Sequence, residues 1–288
     1  MRRIVGVAAA GLLLALIPAL ATAEGPHVCK GTFKKPGVLK AGTYPDGVLV
    51  QGACLVDHGR ARVIGTLDVG EGAALAAAYG HSKLTVVGNV VVGEGGVLVL
   101  GCNTFSFPCL NDPAQTNHNT KPTLHSFGRV TGDVTGSGAR GIIIHSSLIG
   151  GSVSQSGGGG RHSCRVPKKG AFAAFHSPIY SDYEDNTING SLWVSDLSSC
   201  YLGIARNRVQ NLQLTENQLA DPDAIEVLSN RVLGNLACEE NSQVWDSAET
   251  GHGLFPRKLE RNHVAGQREG QCVRASRIKK GTRAKGLF

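Results

Sequence analysis

The sequence predicts an all-β fold, a single right-handed parallel β-helix with about 22 residues per coil, held by disulfides and interrupted by polar loop insertions. The first observation is a repeat in which residues Gly65–Leu75 match Gly88–Leu98 at a period of 23. The second is a set of eight cysteines behind an export-type leader. The third is an asparagine that recurs before a short apolar run, at Asn186, Asn207, Asn230 and Asn262. A repeat of this length indicates one structural unit per coil, stacked on the next.

The residue types of the repeat identify its unit as a β-strand. Runs such as Thr85–Val87 and Asn89–Val92 are rich in β-branched residues and alternate with period two, which is a strand signal. Leucine-rich repeats have a similar length, but they need a denser leucine framework with a helical return, which this sequence lacks. Gly70–Gly72 and Gly93–Gly95 are predicted corners, where glycine freely adopts positive φ. Stacked coils should then place valine over valine and form an asparagine ladder.

Residues 1–23 are predicted to be a signal peptide. Arg2 and Arg3 form a basic start, an apolar run covers Ile4–Leu20, and Ala21–Ala23 supplies the small residues of a cleavage site. A membrane anchor is the alternative, because the apolar run is nearly long enough to span a bilayer, but no basic flank follows it. Cleavage after Ala23 would release the mature chain as a secreted, extracellular protein.

The mature chain is predicted to contain a β-helix domain over residues 24–272 and a basic tail over residues 273–288. Without the leader the chain has 27 basic and 22 acidic side chains, a net charge of +5. Six basic residues and no acidic residue lie in the last sixteen positions, so the domain itself is near neutral at −1. The tail is predicted to be disordered, and its charge favours peripheral contact with anionic surfaces. No specific nucleic-acid partner is indicated.

The cysteines predict a disulfide framework, because an even number in an exported chain is typical of an oxidising compartment. Sequence alone leaves the connectivity open. A solenoid keeps each segment beside its sequence neighbours, which favours bonds that clamp both ends. The favoured pairs are Cys29 with Cys54, Cys102 with Cys109, Cys164 with Cys200, and Cys238 with Cys272. A zinc site is not indicated, because the sequence has no C-x-x-C pair and no Cys/His cluster at zinc spacing.

Four stretches carry a resemblance to a group of β-helix proteins. Val50–Val56 holds an early cysteine, Val63–Leu75 a rung of the G-x-V-x-V-x-x-G-x-x-L type, and Gly234–Cys238 with Gly270–Cys272 a G-N-L-x-C to G-Q-C closure. In these features, over nearly the whole mature chain, the sequence resembles uncharacterised secreted bacterial right-handed parallel β-helix proteins. The resemblance implies the fold and the secreted location, and it implies no particular activity.

A polygalacturonase-like set of motifs is one candidate for chemistry. Those β-helix pectin hydrolases carry N-T-D, D-D, G-H-G and R-I-K in this order. The similar stretches here are Asn186–Ile188, Asp221–Asp223, Gly251–Gly253 and Arg277–Lys279. Glycoside hydrolysis needs two carboxyl groups beside the scissile bond, but the first motif lacks its aspartate and a proline splits the second. The chain is therefore expected to be non-catalytic, and the residues to check are Asp185, Asp221, Asp223 and His252.

A calcium-dependent polysaccharide lyase is a second candidate, because it needs acidic calcium ligands and a base. The densest acidic stretch holds Asp182, Glu184 and Asp185. Asp221 and Asp223 occupy alternate positions and could share one face of a strand. Calcium takes six to eight oxygen ligands. No cofactor is expected, and calcium is the candidate that these acidic residues leave open. A solvated turn is the alternative interpretation.

Binding is the function that the sequence favours. Two polar interruptions, residues 102–127 and 154–169, are predicted loops, and loops on a rigid scaffold often carry binding. Trp193 is a candidate for stacking on a sugar if it lies outward, and a packing residue if it lies inward. The leading hypothesis is a secreted or surface-associated scaffold that contacts a polysaccharide or cell-wall polymer. A carbohydrate-active enzyme is the alternative, and it requires two carboxylates, or a carboxylate and a base, in one groove.

Overall fold

The computed structural model describes residues 25–103, 107–113, 123–221, 225–246, 249–250, 258–259 and 261–273. Most regular structure in these ranges is β-strand, as the sequence predicts, and one short helix accompanies it. No helix in the described part of the chain is long and apolar enough to cross a membrane. The predicted signal peptide and residues 274–288 of the predicted tail lie outside the described residues.

The strands are short and numerous. In chain order they are β1 (His27–Gly31), β2 (Gly37–Leu39), β3 (Gly42–Tyr44), β4 (Val48–Val56), β5 (Gly59–Ile64), β6 (Leu67–Val69), β7 (Ala74–Ala77), β8 (Ser82–Val87), β9 (Val90–Val92), β10 (Val97–Leu100), β11 (Phe127–Val130), β12 (Val134–Ser137), β13 (Gly141–His145), β14 (Leu148–Ile149), β15 (Val153–Ser156), β16 (Tyr180–Glu184), β17 (Thr187–Ile188), β18 (Leu192–Ser195), β19 (Ser198–Ser199), β20 (Tyr201–Ala205), β21 (Arg208–Val209), β22 (Leu212–Thr215), β23 (Gln218–Leu219), β24 (Ile225–Leu228), β25 (Arg231–Val232), β26 (Leu236–Glu239), β27 (Val244–Asp246), β28 (Glu249–Thr250), β29 (Lys258–Leu259), β30 (His263–Val264) and β31 (Arg268–Gly270). The helix is α1 (Ala171–Ala174).

These strands form three long parallel faces, and the chain visits them in the same order in every turn. The first face contains β1, the start of β4, β6, β9, β12, β15, β18, β22, β26 and β31. The second face contains β2, the end of β4, β7, β10, β13, β16, β20, β24 and β27. The third face contains β3, β5, β8, β11, β14, β17, β21, β25 and β30. The arrangement is that of a β-solenoid.

The register places the two copies of the sequence repeat on top of each other. Leu67 pairs with Val90 on the first face, and Leu75 pairs with Leu98 on the second. All four side chains are buried in one continuous apolar core that runs through the solenoid. Successive rungs lie about 4.8 Å apart, so like side chains stack directly. The predicted stacking is confirmed.

An asparagine ladder fills the corner between the second and third faces, as predicted. The Oδ1 atom of Asn207 accepts hydrogen bonds from the backbone N–H and the Nδ2 atom of Asn186, at 3.1 and 3.0 Å. Asn230 accepts the same pair of bonds from Asn207, and Asn262 accepts them from Asn230. Each rung of the ladder therefore satisfies a backbone donor and a side-chain donor of the rung before it.

The other two corners carry ladders that the sequence analysis did not anticipate. Between the first and second faces, Asn217 donates to Asn241, and Asn241 donates to Gln271. Between the third and first faces, the Oδ1 atoms of Asn211 and Asn235 accept backbone N–H groups from the following turn. Side-chain amides therefore stabilise all three corners of the C-terminal half. They form hydrogen bonds with backbone groups at positions where the strands end and no ladder partner is available.

The cysteines form four disulfides in the predicted pairs. They are Cys29–Cys54, Cys102–Cys109, Cys164–Cys200 and Cys238–Cys272. The first and last of these tie the outermost strands of the first face to the neighbouring turn, as expected of clamped ends. Four disulfides are consistent with an extracellular protein, since such bonds persist in oxidising compartments.

Two insertions cover the outer side of the second face. The described residues of the first, which follows β10, and of the second, which contains α1, pack on outward side chains such as Ala76, Val99 and Ile143. This cover explains why β7, β10 and β13 are buried on both sides rather than alternating. The second loop was expected to begin at Ser154, but residues 154–156 belong to β15, so the insertion begins at Gly157.

Candidate functional site

The third face presents a column of eight outward residues along the solenoid, four of them arginines and one a histidine. The strand register aligns Arg62, Thr85, Arg129, Leu148, Thr187, Arg208, Arg231 and His263, one from each successive turn. Because alternate residues of a strand point to opposite sides, these positions face outward while their valine and isoleucine neighbours enter the core. At about 4.8 Å per rung the column is about 34 Å long. We call these eight residues the basic column.

A shorter row of outward residues lies beside the N-terminal part of the basic column. Arg60 pairs with Lys83, and Lys83 pairs with Phe127. The Lys83 ammonium lies 5.7 Å from the centre of the Phe127 ring, which is a cation–π distance. This row widens the positive surface at one end of the face.

Negative charge is lacking on the third face. Its nine strands contain no aspartate and no glutamate. Among the described residues, no acidic group forms an ion pair with Arg62, Arg129, Arg208 or Arg231. All four arginines are exposed, so their guanidinium groups are available to an external anion.

Acidic side chains collect instead at the corner between the first and second faces. They are Glu71, Glu94, Asp196, Glu216 and Glu240, and all five are exposed. A hydrogen bond with the carboxyl group of Asp196 raises the pKa of Glu216, and the charges of Asp196 and Glu240 raise it further. The composition places the excess positive charge in the tail and leaves the predicted domain near neutral. Within that domain, however, basic residues lie on the third face and acidic residues lie at the corner between the first and second faces.

The two candidate catalytic residues that the structure describes, Asp185 and Asp221, have different surroundings. Asp185 is a corner residue with φ of 58°, and its Oδ1 atom accepts a hydrogen bond of 2.6 Å from the Nε atom of Arg206. Asp221 lies instead beside the Cys164–Cys200 disulfide. Asp223 and His252 lie outside the described residues. The Asn186 of the polygalacturonase-like motif belongs to the corner ladder, so this part of the match has a structural explanation.

The acidic stretch considered as a calcium candidate lies in β16 and at its end, under the first insertion. Asp182 and Glu184 point outward from the second face but are buried. The Nε2 atom of His145 lies 3.1 Å from the Oδ2 atom of Asp182, and both side chains are fully buried. Burial lowers the pKa of His145, but the charges of Asp182, Glu184 and Asp185 raise it, and the net direction is upward. The imidazole of His145 and the carboxylate of Asp182 are therefore adjacent, but both are buried and so are not accessible to a substrate in this structure.

A groove of about 460 Å³ lies on the outer side of the second face, against both insertions. Its wall includes Leu55, Val99, Phe107 and Phe175, and none of its described lining residues is charged. The described wall is therefore mainly apolar and aromatic.

Trp193 lies on the outer surface of the first face and is 46% exposed. It stands in register between Ser154 and Gln213, which also point outward. The structure thus places this tryptophan in the outward position that a sugar-stacking residue needs, on a polar strip.

Comparison with family models, with curated proteins and with solved structures finds no match to this chain. Fold and surface together define a β-solenoid-like protein with one arginine-rich face. Sequence reasoning missed this face, although a signal was present. Each ladder residue Asn207, Asn230 and Asn262 is followed by a basic residue and then by valine. In a stacked fold that pattern places the basic residues in one column.

Proposed function

We propose that this protein is a secreted, non-catalytic β-helix protein that binds an anionic linear glycan along its third face. The observation that carries the proposal is the basic column. The proposal includes cleavage of residues 1–23 and closure of the three faces into a right-handed helix of about 22 residues per coil. It also places the chain with the secreted bacterial β-helix proteins that its sequence resembles.

A linear polymer fits the basic column because the column is periodic, with one residue from each successive strand of the third face. Each rung advances by the same distance, so arginines on different rungs can meet successive charges of one extended chain. A guanidinium group binds a carboxylate, sulfate or phosphate through two parallel hydrogen bonds. Thr85 and Thr187 add hydroxyl groups between the arginines, which suits a partner that carries hydroxyl groups as well as charge.

An acidic glycan fits this surface better than a nucleic acid. Single-stranded nucleic acids are bound by basic grooves in which several aromatic side chains stack on bases. Among the described outward positions of the third face, the row beside the basic column holds one phenylalanine, Phe127, rather than a series of aromatic side chains. The disulfides also fit an extracellular location, where acidic polysaccharides are the common anionic polymers.

The test is retention of the purified, disulfide-bonded chain on immobilised polygalacturonate, alginate, a neutral glucan and double-stranded DNA. The variant Arg129→Gln/Arg208→Gln/Arg231→Gln removes three charges from the basic column. We expect about tenfold weaker retention on the acidic glycans, because three exposed charge contacts contribute about 0.5 kcal/mol each. The neutral glucan should be retained weakly by both proteins.

The matched control removes three exposed charges from the second insertion, through Arg161→Gln/Arg165→Gln/Lys168→Gln. This variant should bind the acidic glycans as the unchanged protein does. An equal loss in both variants would mean that net charge rather than the column causes retention. Preference for DNA would overturn the glycan assignment, and release of sugar products would overturn the non-catalytic assignment.

A further inference from the structure

Three side chains with metal-binding atoms converge under the first insertion. His145 and Glu184 pair across the second face, and Asp182 precedes Glu184 by two positions, so all three project to the same side. One nitrogen or oxygen atom of each lies within 4.8 Å of the other two. We call these three residues the HDE cluster.

The polar atoms at the centre of the cluster are buried and poorly satisfied. The Nε2 atom of His145 lies 3.1 Å from the Oδ2 atom of Asp182, but within the described residues neither ring nitrogen of His145 and neither carboxylate oxygen of Asp182 makes a well-aligned hydrogen bond, and both side chains are fully buried. Buried polar atoms without partners are rare and cost free energy. Gly203 stands over Asp182, and a Cβ atom there would lie 2.2 Å from Oδ1, so the glycine leaves the room that this carboxylate needs.

Arg206 pairs with the carboxylates beside Asp182 rather than with Asp182 itself. It binds Glu184 and Asp185, and it makes no ion pair with Asp182. Among the described residues, the charged partner of the fully buried Asp182 is His145. A buried carboxylate is unfavourable unless a cation compensates it.

We propose that His145, Asp182 and Glu184 bind one divalent transition-metal ion of the zinc class. Bonds of 2.0 to 2.2 Å to nitrogen and oxygen place adjacent ligand atoms about 3.0 to 3.5 Å apart, and the His145 and Asp182 atoms lie 3.1 Å apart. One imidazole and two carboxylates suit zinc better than calcium, which takes six to eight oxygen ligands. This site shares Asp182 and Glu184 with the acidic stretch considered as a calcium candidate from the sequence.

The ion would fasten the first insertion to the solenoid. The ring of Phe107, in that insertion, lies 4.8 Å from the His145 ring, and Asn103 donates a hydrogen bond to Asp185. Metal binding should order the cluster, and with it these contacts, so loss of the metal should loosen the described residues 101–103 and 107–113 of this insertion. This role is structural and independent of glycan binding.

The test starts with the full disulfide-bonded chain stripped by a chelator and titrated calorimetrically with Zn²⁺, and in parallel with Ca²⁺. We expect one equivalent of Zn²⁺ to bind and the unfolding temperature to rise. Asp182→Asn should weaken Zn²⁺ binding at least tenfold. The control Glu216→Gln removes a charge from the acidic corner and should leave Zn²⁺ binding unchanged.

X-ray absorption of the unchanged chain loaded with Zn²⁺ identifies the ligand atoms of the ion directly. It therefore tests the proposal even when Asp182→Asn does not fold. We expect a shell of nitrogen and oxygen ligands that includes imidazole and no sulfur. Absence of stoichiometric Zn²⁺ uptake would overturn the proposal in favour of a charged His145–Asp182 pair. A sulfur ligand, preferential uptake of Ca²⁺, or full Zn²⁺ affinity in folded Asp182→Asn would overturn it as well.

Discussion

The asparagine ladder is most sharply tested by Asn207→Ala, which breaks it in the middle. Asn207 is 1% exposed. Its Oδ1 atom accepts two hydrogen bonds from Asn186, and its Nδ2 atom donates to the carbonyl group of Tyr183 at 2.6 Å and to Asn230 at 3.0 Å. The substitution removes all four bonds and leaves the buried backbone N–H of Asn186 without this acceptor.

The expected loss of stability follows from those four hydrogen bonds. A buried hydrogen bond contributes about 1 kcal/mol net, and a buried donor left without a partner costs about 1 to 3 kcal/mol. Asn207→Ala should therefore lower the free energy of unfolding by about 3 to 5 kcal/mol. Asn235→Ala is the matched control, because Asn235 is exposed and its side chain accepts one backbone N–H, that of Gln267 at 2.9 Å. Its cost should be about 1 kcal/mol or less.

The assay is urea unfolding of each variant with disulfides intact, followed by far-ultraviolet circular dichroism. The midpoint should fall markedly for Asn207→Ala and slightly for Asn235→Ala, with similar slopes. Equal midpoints for the two variants would refute the reasoning, because burial of the ladder would then contribute nothing. Hydrogen exchange should also become faster at Asn186, whose N–H loses its acceptor.

Further predictions concern the acidic corner, the core and the C-terminal clamp. Folding raises the pKa of Glu216 above its ordinary value of 4.5, so this carboxyl destabilises the fold increasingly as pH rises above 4.5. Glu216→Gln should raise the unfolding temperature at neutral pH and leave it unchanged at about pH 3, and equal shifts at both pH values would be inconsistent with this. Leu98→Ala, at a fully buried core position, should cost about 2 to 5 kcal/mol in urea unfolding, whereas Val91→Ala, at a 38% exposed position, should cost far less. Replacing Cys238 and Cys272 together by alanine should cost about 2 to 4 kcal/mol and accelerate hydrogen exchange in β31 first; uniform acceleration along the chain would contradict a local clamp.

The core and one ladder of this fold were predictable because they depend on local repetition. In a parallel stack each turn repeats the hydrogen bonds of the last, so matching residues in Gly65–Leu75 and Gly88–Leu98 predict which side chains pair. The same logic predicted the ladder that begins at Asn186. Pairing of neighbouring cysteines followed from the same short-range geometry.

The two other ladders and the basic column could not be predicted from repeated residues alone. Their residues vary in type, with arginine, threonine, leucine and histidine all in one column, so no single letter repeats. Insertions also change the spacing, because Thr85 and Arg129 are adjacent in space although two strands and a long insertion separate them in sequence. Only the register reveals that they share a face.

The HDE cluster was only partly predictable, for a different reason. The acidic residues Asp182 and Glu184 were conspicuous in sequence, but His145 belongs to the preceding turn and lies across the second insertion from them. Whether they are exposed depends on the first insertion, whose polar composition gave no sign that it would cover them. Burial of this kind is a tertiary property.

The most direct test of the central claim is the affinity of the native chain for oligogalacturonates of increasing length, measured calorimetrically at fixed salt. A basic column about 34 Å long, with four arginines along it, predicts that affinity rises with oligomer length until the oligomer spans the column. The Arg208→Gln variant should flatten that rise. Affinity that is already maximal for the shortest oligomer, or that is unchanged by Arg208→Gln at every length, would contradict the account.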